Sequence, residues 1–407
     1  PAGLFQSADP AGPTMTLTPQ VAGWQANQDK NAVGPATVLD NATLYLETNS
    51  LRQVTGVSQA PVYYDTTATT DTITFDEPTG TGKTWDQEFP SLTTITCCVD
   101  AVNTAGTDSE CSNVVQPEAV NNVSDMFATT LYTGNEVNDN AVVTGIDNTD
   151  LSLVWLKNKA ETGYTHVLVD SLRGVQFRLS SDSTGSQQGS GVNSFTSSGF
   201  TVDDSSATNG IYSNNNFVSW NFKAAPKFFD VQTYTGDSDN PAQTIPHNLT
   251  STPGMIICKC TDASAEWCVY HKVLGATKHL ILNETNSVIT SRQIWNDTEP
   301  TDSVFTVGGD SAVNGNNKNY VAYLFADEPG LIKCGSYTAQ SGQVSVDCGF
   351  APQWILTKPY ISGQWEIFDV ARGWPPTGNS ALLAPNNTNA ESVAGYPLHP
   401  TSTGFTV

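Results

Sequence analysis

The sequence predicts an all-β protein, built as tandem β-sandwich domains in an elongated array. Short runs of Val, Ile, Tyr, Phe and Trp are separated by stretches crowded with Asn, Ser, Thr, Gly and Asp, which is the texture of short strands joined by polar turns. The chain also repeats itself about every hundred residues: Tyr132-Thr133-Gly134, Tyr234-Thr235-Gly236 and Tyr337-Thr338-Ala339 open stretches that run in the same order. A length of 407 residues suits roughly three or four domains of ordinary size.

Residues 1–13, rich in Pro, Gly and Ala, read as an extended arm or linker. Residues 14–118 read as a β-sandwich, with strands at Ala42-Thr43-Leu44-Tyr45-Leu46, Pro61-Val62-Tyr63-Tyr64, Thr72-Ile73-Thr74-Phe75 and Thr94-Ile95-Thr96-Cys97-Cys98-Val99. Three homologous sandwich units follow, at 124–225, 227–328 and 331–407.

Each unit passes from its opening step into an apolar strand that ends on lysine: Leu153-Val154-Trp155-Leu156-Lys157, Met255-Ile256-Ile257-Cys258-Lys259 and Trp354-Ile355-Leu356-Thr357-Lys358. A second strand and turn come next, reaching Arg173-Gly174, Leu274-Gly275 and Arg372-Gly373. Late signatures at Gly199-Phe200-Thr201-Val202, Val304-Phe305-Thr306-Val307 and Gly404-Phe405-Thr406-Val407 fall in phase. The first two units then add a closing strand, Phe217-Val218-Ser219-Trp220-Asn221-Phe222 and Tyr320-Val321-Ala322-Tyr323-Leu324-Phe325, which the third lacks. An unclosed unit exposes a sheet edge, so the chain is expected to be the ordered portion of a longer polypeptide. The joints between units are short, which predicts a stiff rod.

Lys and Arg total 17 against 40 Asp and Glu, a formal charge of -23. Such a surface repels phosphate backbones and argues against nucleic acid as a partner. No apolar stretch approaches the roughly 20 residues that cross a bilayer, so no membrane insertion is expected. Cysteines at Cys98 and Cys111, Cys260 and Cys268, and Cys334 and Cys348 sit where cross-strand disulfides fit, or else are small buried thiols.

Gly80-Thr81-Gly82-Lys83-Thr84 lacks the first glycine of a phosphate-binding loop, and Trp85-Asp86-Gln87-Glu88-Phe89-Pro90 after it is no helix start. Asp170 and Asp369 resemble paired glycosidase carboxylates, but the middle unit has His271 there and Leu274 where the others have Arg173 and Arg372. Joint loss of acid and base points to local Asp-Arg pairs stabilising a turn. The histidines, His166, His247, His271, His279 and His399, show no repeated two-ligand spacing, and neither metal nor cofactor is expected. Trp295, Trp374 and Tyr396 lie in unit-specific loops and are the candidates for stacking on a sugar, with partial packing the favoured reading.

Residues 99–112 resemble the last hairpin of fibronectin type III and immunoglobulin-like modules. The array as a whole resembles the repeated β-domain of tail-fibre-like virion structural proteins of marine bacteriophages, cyanophages especially. The segments that carry this are Trp155-Leu156-Lys157, Asp170-Ser171-Leu172-Arg173-Gly174, Ile245-Pro246-His247-Asn248-Leu249, Trp295-Asn296-Asp297-Thr298 and the closing strands. The resemblance implies a non-catalytic appendage on the virion surface, oligomeric and held by other virion proteins, that contacts a host glycan or protein receptor. Head fibre, capsid decoration and a bacterial surface adhesin or S-layer-like protein are the alternative readings.

Overall fold

The computed structural model describes residues 123–407, apart from 190, 213–215, 239–241, 376 and 394–397, together with the backbone of six upstream strands. By contacts the chain divides into two compact units, Pro1–Val120 and Asn121–Val407.

In the first unit β1 (Phe5–Gln6), β2 (Thr14–Leu17) and β4 (Asp71–Thr74) form one antiparallel sheet, and β3 (Leu44–Thr48), β5 (Ile95–Val99) and β6 (Val114–Val115) form another. Part of the expected arm, Phe5–Gln6, therefore pairs in a sheet. The Pro61-Val62-Tyr63-Tyr64 strand and the hairpin tip beyond Val99 fall outside the described residues.

The second unit holds the repeats. In repeat 1, after the short helical turn α1 (Val123–Met126), the strands are β7 (Phe127–Tyr132), β8 (Asn140–Val143), β9 (Ser152–Asn158), β10 (Val167–Asp170), β11 (Val192–Thr196) and β12 (Gly199–Val202), then the turn α2 (Ser206–Asn209) and β13 (Phe217–Lys223). They form two facing sheets, ordered β10-β9-β13-β7 and β11-β12-β8. Repeat 2 has β14 (Phe229–Thr235), β15 (Gln243–Pro246), β16 (Met255–Cys260), β17 (Cys268–His271), β18 (Lys278–Ile281), β19 (Ile289–Thr290), α3 (Arg292–Trp295), β20 (Val304–Val307), α4 (Ser311–Asn314) and β21 (Asn319–Phe325). Its sheets are β14-β21-β16-β17-β18-β19 and β15-β20. Repeat 3 has β22 (Ser345–Asp347), β23 (Trp354–Thr357), β24 (Glu366–Asp369), α5 (Val370–Gly373), β25 (His399–Pro400) and β26 (Gly404–Thr406), in sheets β23-β24 and β22-β26-β25.

The chain is all-β with antiparallel sandwiches, as the alternation of strand and turn residues predicts. Each repeat has its own core between its two sheets: Val154, Leu156, Phe200 and Phe217 in the first, Ile256, Cys258, Phe305 and Tyr320 in the second, and Phe368, Leu382 and Phe405 in the third.

For the three repeats, the expected end-to-end extension is corrected by a further core that they share. Trp155, Leu168, Val218 and Trp220 of repeat 1, Val231, Ile257, Trp267 and Tyr323 of repeat 2, and Trp365, Ile367 and Leu383 of repeat 3 are buried in one cluster. The reason is visible in the lysine-ended strands: β9 and β16 are buried at every position. A strand that is apolar on both faces needs a layer on each side. One side is covered by the repeat's own second sheet, the other by the neighbouring repeats, so the units close around one another instead of extending end to end.

Candidate functional site

The seams between repeats follow one plan. Bridges and pairs at Leu168–Leu179, Val269–Leu280 and Ile367–Leu383 make His166, Trp267 and Trp365 counterparts, and likewise Ser180, Ile281 and Ala384. Trp267 Nε1–H donates to the Ser180 carbonyl at 3.0 Å, Trp365 Nε1–H to the Ile281 carbonyl at 2.8 Å, and His166 Nε2 meets the Ala384 carbonyl at 3.1 Å. Beside each runs a backbone bond: Ala265 N–H to Thr184 at 2.9 Å, Gly363 N–H to Thr285 at 2.8 Å, and Gly163 N–H to Thr388 at 2.8 Å. Repeat 2 thus leans on repeat 1, repeat 3 on repeat 2, and repeat 1 on repeat 3. The array is a closed ring with quasi-threefold equivalence.

His166 accepts from Trp155 Nε1–H at its Nδ1, 3.0 Å, which places its proton on Nε2 for the bond to Ala384. Burial holds its pKa well below the usual imidazole value, with Lys157 adding to the effect. The ring is therefore neutral in the closed seam.

Asp170 and Asp369 anchor a second set of seam contacts. Asp170 accepts from the Arg173 backbone N–H at 2.9 Å and Nε at 2.6 Å, and from Tyr323 O–H of repeat 2 at 2.8 Å. Burial, with the Asp170 carboxylate second, raises the Tyr323 phenol well above its ordinary pKa, which keeps it a donor. Asp369 accepts from the Arg372 N–H at 2.9 Å and Nε at 2.5 Å, and from Trp220 Nε1–H of repeat 1 at 3.0 Å. The Arg372 guanidinium also lies 5.5 Å from the Trp220 ring centroid and bonds Glu391 at 3.2 Å. Both are the local turn pairs expected from sequence, but they are buried, with 5% and 0% exposure for Arg173 and Asp170 and 0% for both Arg372 and Asp369. What sequence reasoning missed is the third partner, an aromatic donor from the closing strand of another repeat.

The repeated lysines are clamped by carbonyls. Lys157 Nζ donates to Asn158 and Tyr164 at 2.8 Å each, Lys259 to Cys260 at 2.8 Å and Thr184 of repeat 1 at 3.1 Å, and Lys358 to Asn286 of repeat 2 at 2.8 Å. Burial brings Lys157 and Lys259 down to about 8. A lowered lysine pKa is one mark of a reactive amine; here the ammonium protons are taken up by main-chain oxygens, and the residue tethers loops.

The weaker reading of Trp295 and Trp374, as rings that stack on a sugar, is corrected by their burial. Trp295 is 1% exposed, edge-on to Tyr270 in the repeat 2 core, and Trp374 is 6% exposed with its Nε1–H on the Leu398 carbonyl. Neither presents a ring face to solvent, and Tyr396 lies outside the described residues. Of the two readings of the cysteines, the disulfides Cys260–Cys268 and Cys334–Cys348 are corrected, since all four residues are free thiols. Cys268 faces Cys258, not Cys260, across β16–β17, while Cys334 packs on Gly254 and donates to the Ala326 carbonyl. Cys98 and the residue expected to pair with it, Cys111, fall among residues whose side chains are not described. Among the described residues no cluster of three or more His, Cys, Asp or Glu side chains is arranged to hold a metal ion, and no helix is long and apolar enough to cross a membrane.

Residues 122–407, the whole of the ring, match the family model described as a domain of unknown function, DUF7483. The chain belongs to the DUF7483 family. No curated protein and no solved structure matches it. The family match begins where the second compact unit begins, so the three repeats form a single DUF7483 domain.

Proposed function

We propose that the DUF7483 ring is a non-catalytic structural and attachment module on the surface of a bacteriophage particle, of tail-fibre or spike type, whose outer lobes meet the host surface. The observation that carries this reading is the fate of the two repeated carboxylates. Asp170 and Asp369 are the residues whose spacing invited a hydrolytic reading, and each is enclosed by an arginine and an aromatic donor from another repeat. A buried acceptor saturated in this way holds a scaffold together. Some of the sequence segments that resemble virion structural proteins also build the seams, Asp170 to Arg173 and the closing strands among them. The high negative charge favours solubility in an extracellular particle.

Immunogold labelling of intact particles that encode the chain tests the assignment. Gold at the tail is expected; gold at the capsid would move the protein to a head-fibre or decoration role, and unlabelled particles would overturn a virion location. Release of reducing ends from host capsule by the purified protein would overturn its non-catalytic character.

A further inference from the structure

One of the three seams differs from the others in two ways. Repeats 1 and 2 are joined by residues 224–228 and repeats 2 and 3 by residues 326–330, so neither of those pairs can move far apart. The seam between repeats 3 and 1 is held by bonds between residues distant in the chain, from 149 apart for Trp220 and Asp369 to 232 apart for Lys159 and Glu391. Here Ser181 Oγ–H donates to the Pro385 carbonyl at 2.7 Å, Lys159 pairs with Glu391 at 3.2 Å, and the Glu391 N–H donates to the Lys159 carbonyl at 2.8 Å. It is also the seam whose ring nitrogen belongs to His166, where Trp267 and Trp365 serve the other two. An indole N–H does not titrate near neutrality, whereas an imidazole does.

His166 has no place for a second proton while the seam is closed. It is fully buried, its Nε2–H is spent on the Ala384 carbonyl, and its Nδ1 lone pair faces the Trp155 N–H. An imidazolium carries N–H on both nitrogens, so protonation in place would set the Nδ1 proton against the indole proton. Trp155 is held where it is, buried and edge-on to Trp220 at 5.8 Å and 84°, while the His166 ring lies nearly parallel to Trp220 at 6.2 Å and 14°. Two cations oppose a charge on the ring, Lys157 from β9 and Arg372 from α5 of repeat 3. The carboxylates on the surrounding elements are engaged elsewhere: Asp369 with Arg372 and Trp220, Glu391 with Lys159 and Arg372, and Asp182 with the Thr165 hydroxyl and the His166 backbone N–H.

We propose that His166 is an acid latch on the seam between repeats 3 and 1, and that mild acidification opens this seam while the other two stay closed. Opening separates the imidazole from Arg372 and the Ala384 carbonyl and gives it water, in which it binds a proton near pH 6.5. In the closed seam burial holds its pKa well below that value. The closed form is therefore favoured in full above about pH 6.5, and below it the ratio of open to closed rises by up to about tenfold per pH unit until the closed-state pKa is reached. Asp182 works the other way: burial raises its carboxyl, so it takes up a proton more readily in the closed seam and opposes opening toward the carboxylate range. The other lowered histidines act inside repeat 2, where His247 meets Thr301, His271 accepts from Val273 and His279 faces Asp310. Each repeat has its own core between its sheets, so the lobes keep their folds when the seam parts.

The three seams supply the controls. Their equivalent main-chain bonds, Gly163 N–H to Thr388, Ala265 N–H to Thr184 and Gly363 N–H to Thr285, report each seam by native-state hydrogen exchange. Exchange is read by mass spectrometry on the whole 407-residue protein and corrected for the intrinsic rate at each pH. Between about pH 7 and about pH 5.5, protection at Gly163 is expected to fall about tenfold, and at Ala265 and Gly363 by less than about twofold. His166→Gln, which keeps a donor and an acceptor without titrating, should hold Gly163 protection within about twofold over the same range. An equal fall at all three amides would overturn the proposal in favour of global unfolding, and unchanged protection at Gly163 would overturn it outright. A fall at Gly163 that persists in His166→Gln would assign the opening to another group and overturn the latch. The first two outcomes are read on the unmodified protein and do not depend on a variant that folds.

Discussion

Replacing Asp369 with alanine should be among the most damaging single changes in the ring. The carboxylate and its arginine are both fully buried, and removal of Asp369 leaves the Arg372 guanidinium with only Glu391 and the Ile367 carbonyl. The Trp220 N–H loses its acceptor, and α5 loses its N-cap, since Asp369 accepts from the Arg372 amide. Breaking a buried ion pair from one side costs about 3–5 kcal/mol, and loss of a cap adds about 1 kcal/mol. With Glu391 compensating in part, a net loss of about 3 kcal/mol is expected, more than a hundredfold in the folding equilibrium.

Urea unfolding followed by tryptophan emission measures the loss, because Trp155, Trp220, Trp267 and Trp365 all sit in the shared core. The paired change Asp369→His with Arg372→Leu, which copies His271 and Leu274 of repeat 2, strands no charge. It should be at least about 1 kcal/mol less destabilising than Asp369→Ala, a coupling of the size expected between touching residues. A loss below about 1 kcal/mol for Asp369→Ala is the value for a solvated pair. That result would refute the buried seam and the closed ring with it.

Stability should fall on acidification, because burial depresses the pKa of His166, His247, His271 and His279 in the folded chain. The unfolded chain takes up protons near pH 6.5 and the folded one does not, so stability present above that pH is lost below it, by up to about 1.4 kcal/mol per pH unit for each fully depressed histidine. His166→Gln, which keeps a donor and an acceptor without titrating, should reduce the drop in Tm between pH 7 and pH 5; an unchanged drop would remove His166 from the acid response. Gly199→Ala places a Cβ 2.0 Å from the Val142 carbonyl oxygen at a φ of +153°, and a loss of about 1–3 kcal/mol in the unfolding free energy measured with urea is expected. Under native conditions a thiol reagent should label half-buried Cys348 before buried Cys258, Cys268 and Cys334, as followed by mass spectrometry; disulfide-linked peptides among these four would contradict the structure.

The strands, their order and the repeat phase were legible in the sequence because each depends on local periodicity and turn chemistry. The ring was not read, although its signal was present. Leu153-Val154-Trp155-Leu156 and Met255-Ile256-Ile257-Cys258 are continuous apolar runs, whereas a sheet with one face in water alternates. The Asp-Arg pairs were found through their joint loss at His271 and Leu274, but burial cannot be inferred from an i,i+3 spacing. Nor could the aromatic partners, Tyr323 and Trp220, be read: they lie 153 and 149 residues from their aspartates. Trp295 and Trp374 are stacking candidates in the sequence only because their segments differ between repeats, yet variation there reflects how each sandwich fills its own interior.

A circular assembly of identical subunits must accept every mutation three times over, whereas here each seam is encoded separately. His166 can stand where its counterparts are tryptophan, and His271 with Leu274 where the others carry opposite charges, without any change to the remaining two joints. Linking the lobes covalently also keeps their local concentration independent of protein dilution. The three outward faces are therefore free to diverge toward different tasks while the interior that aligns them stays fixed.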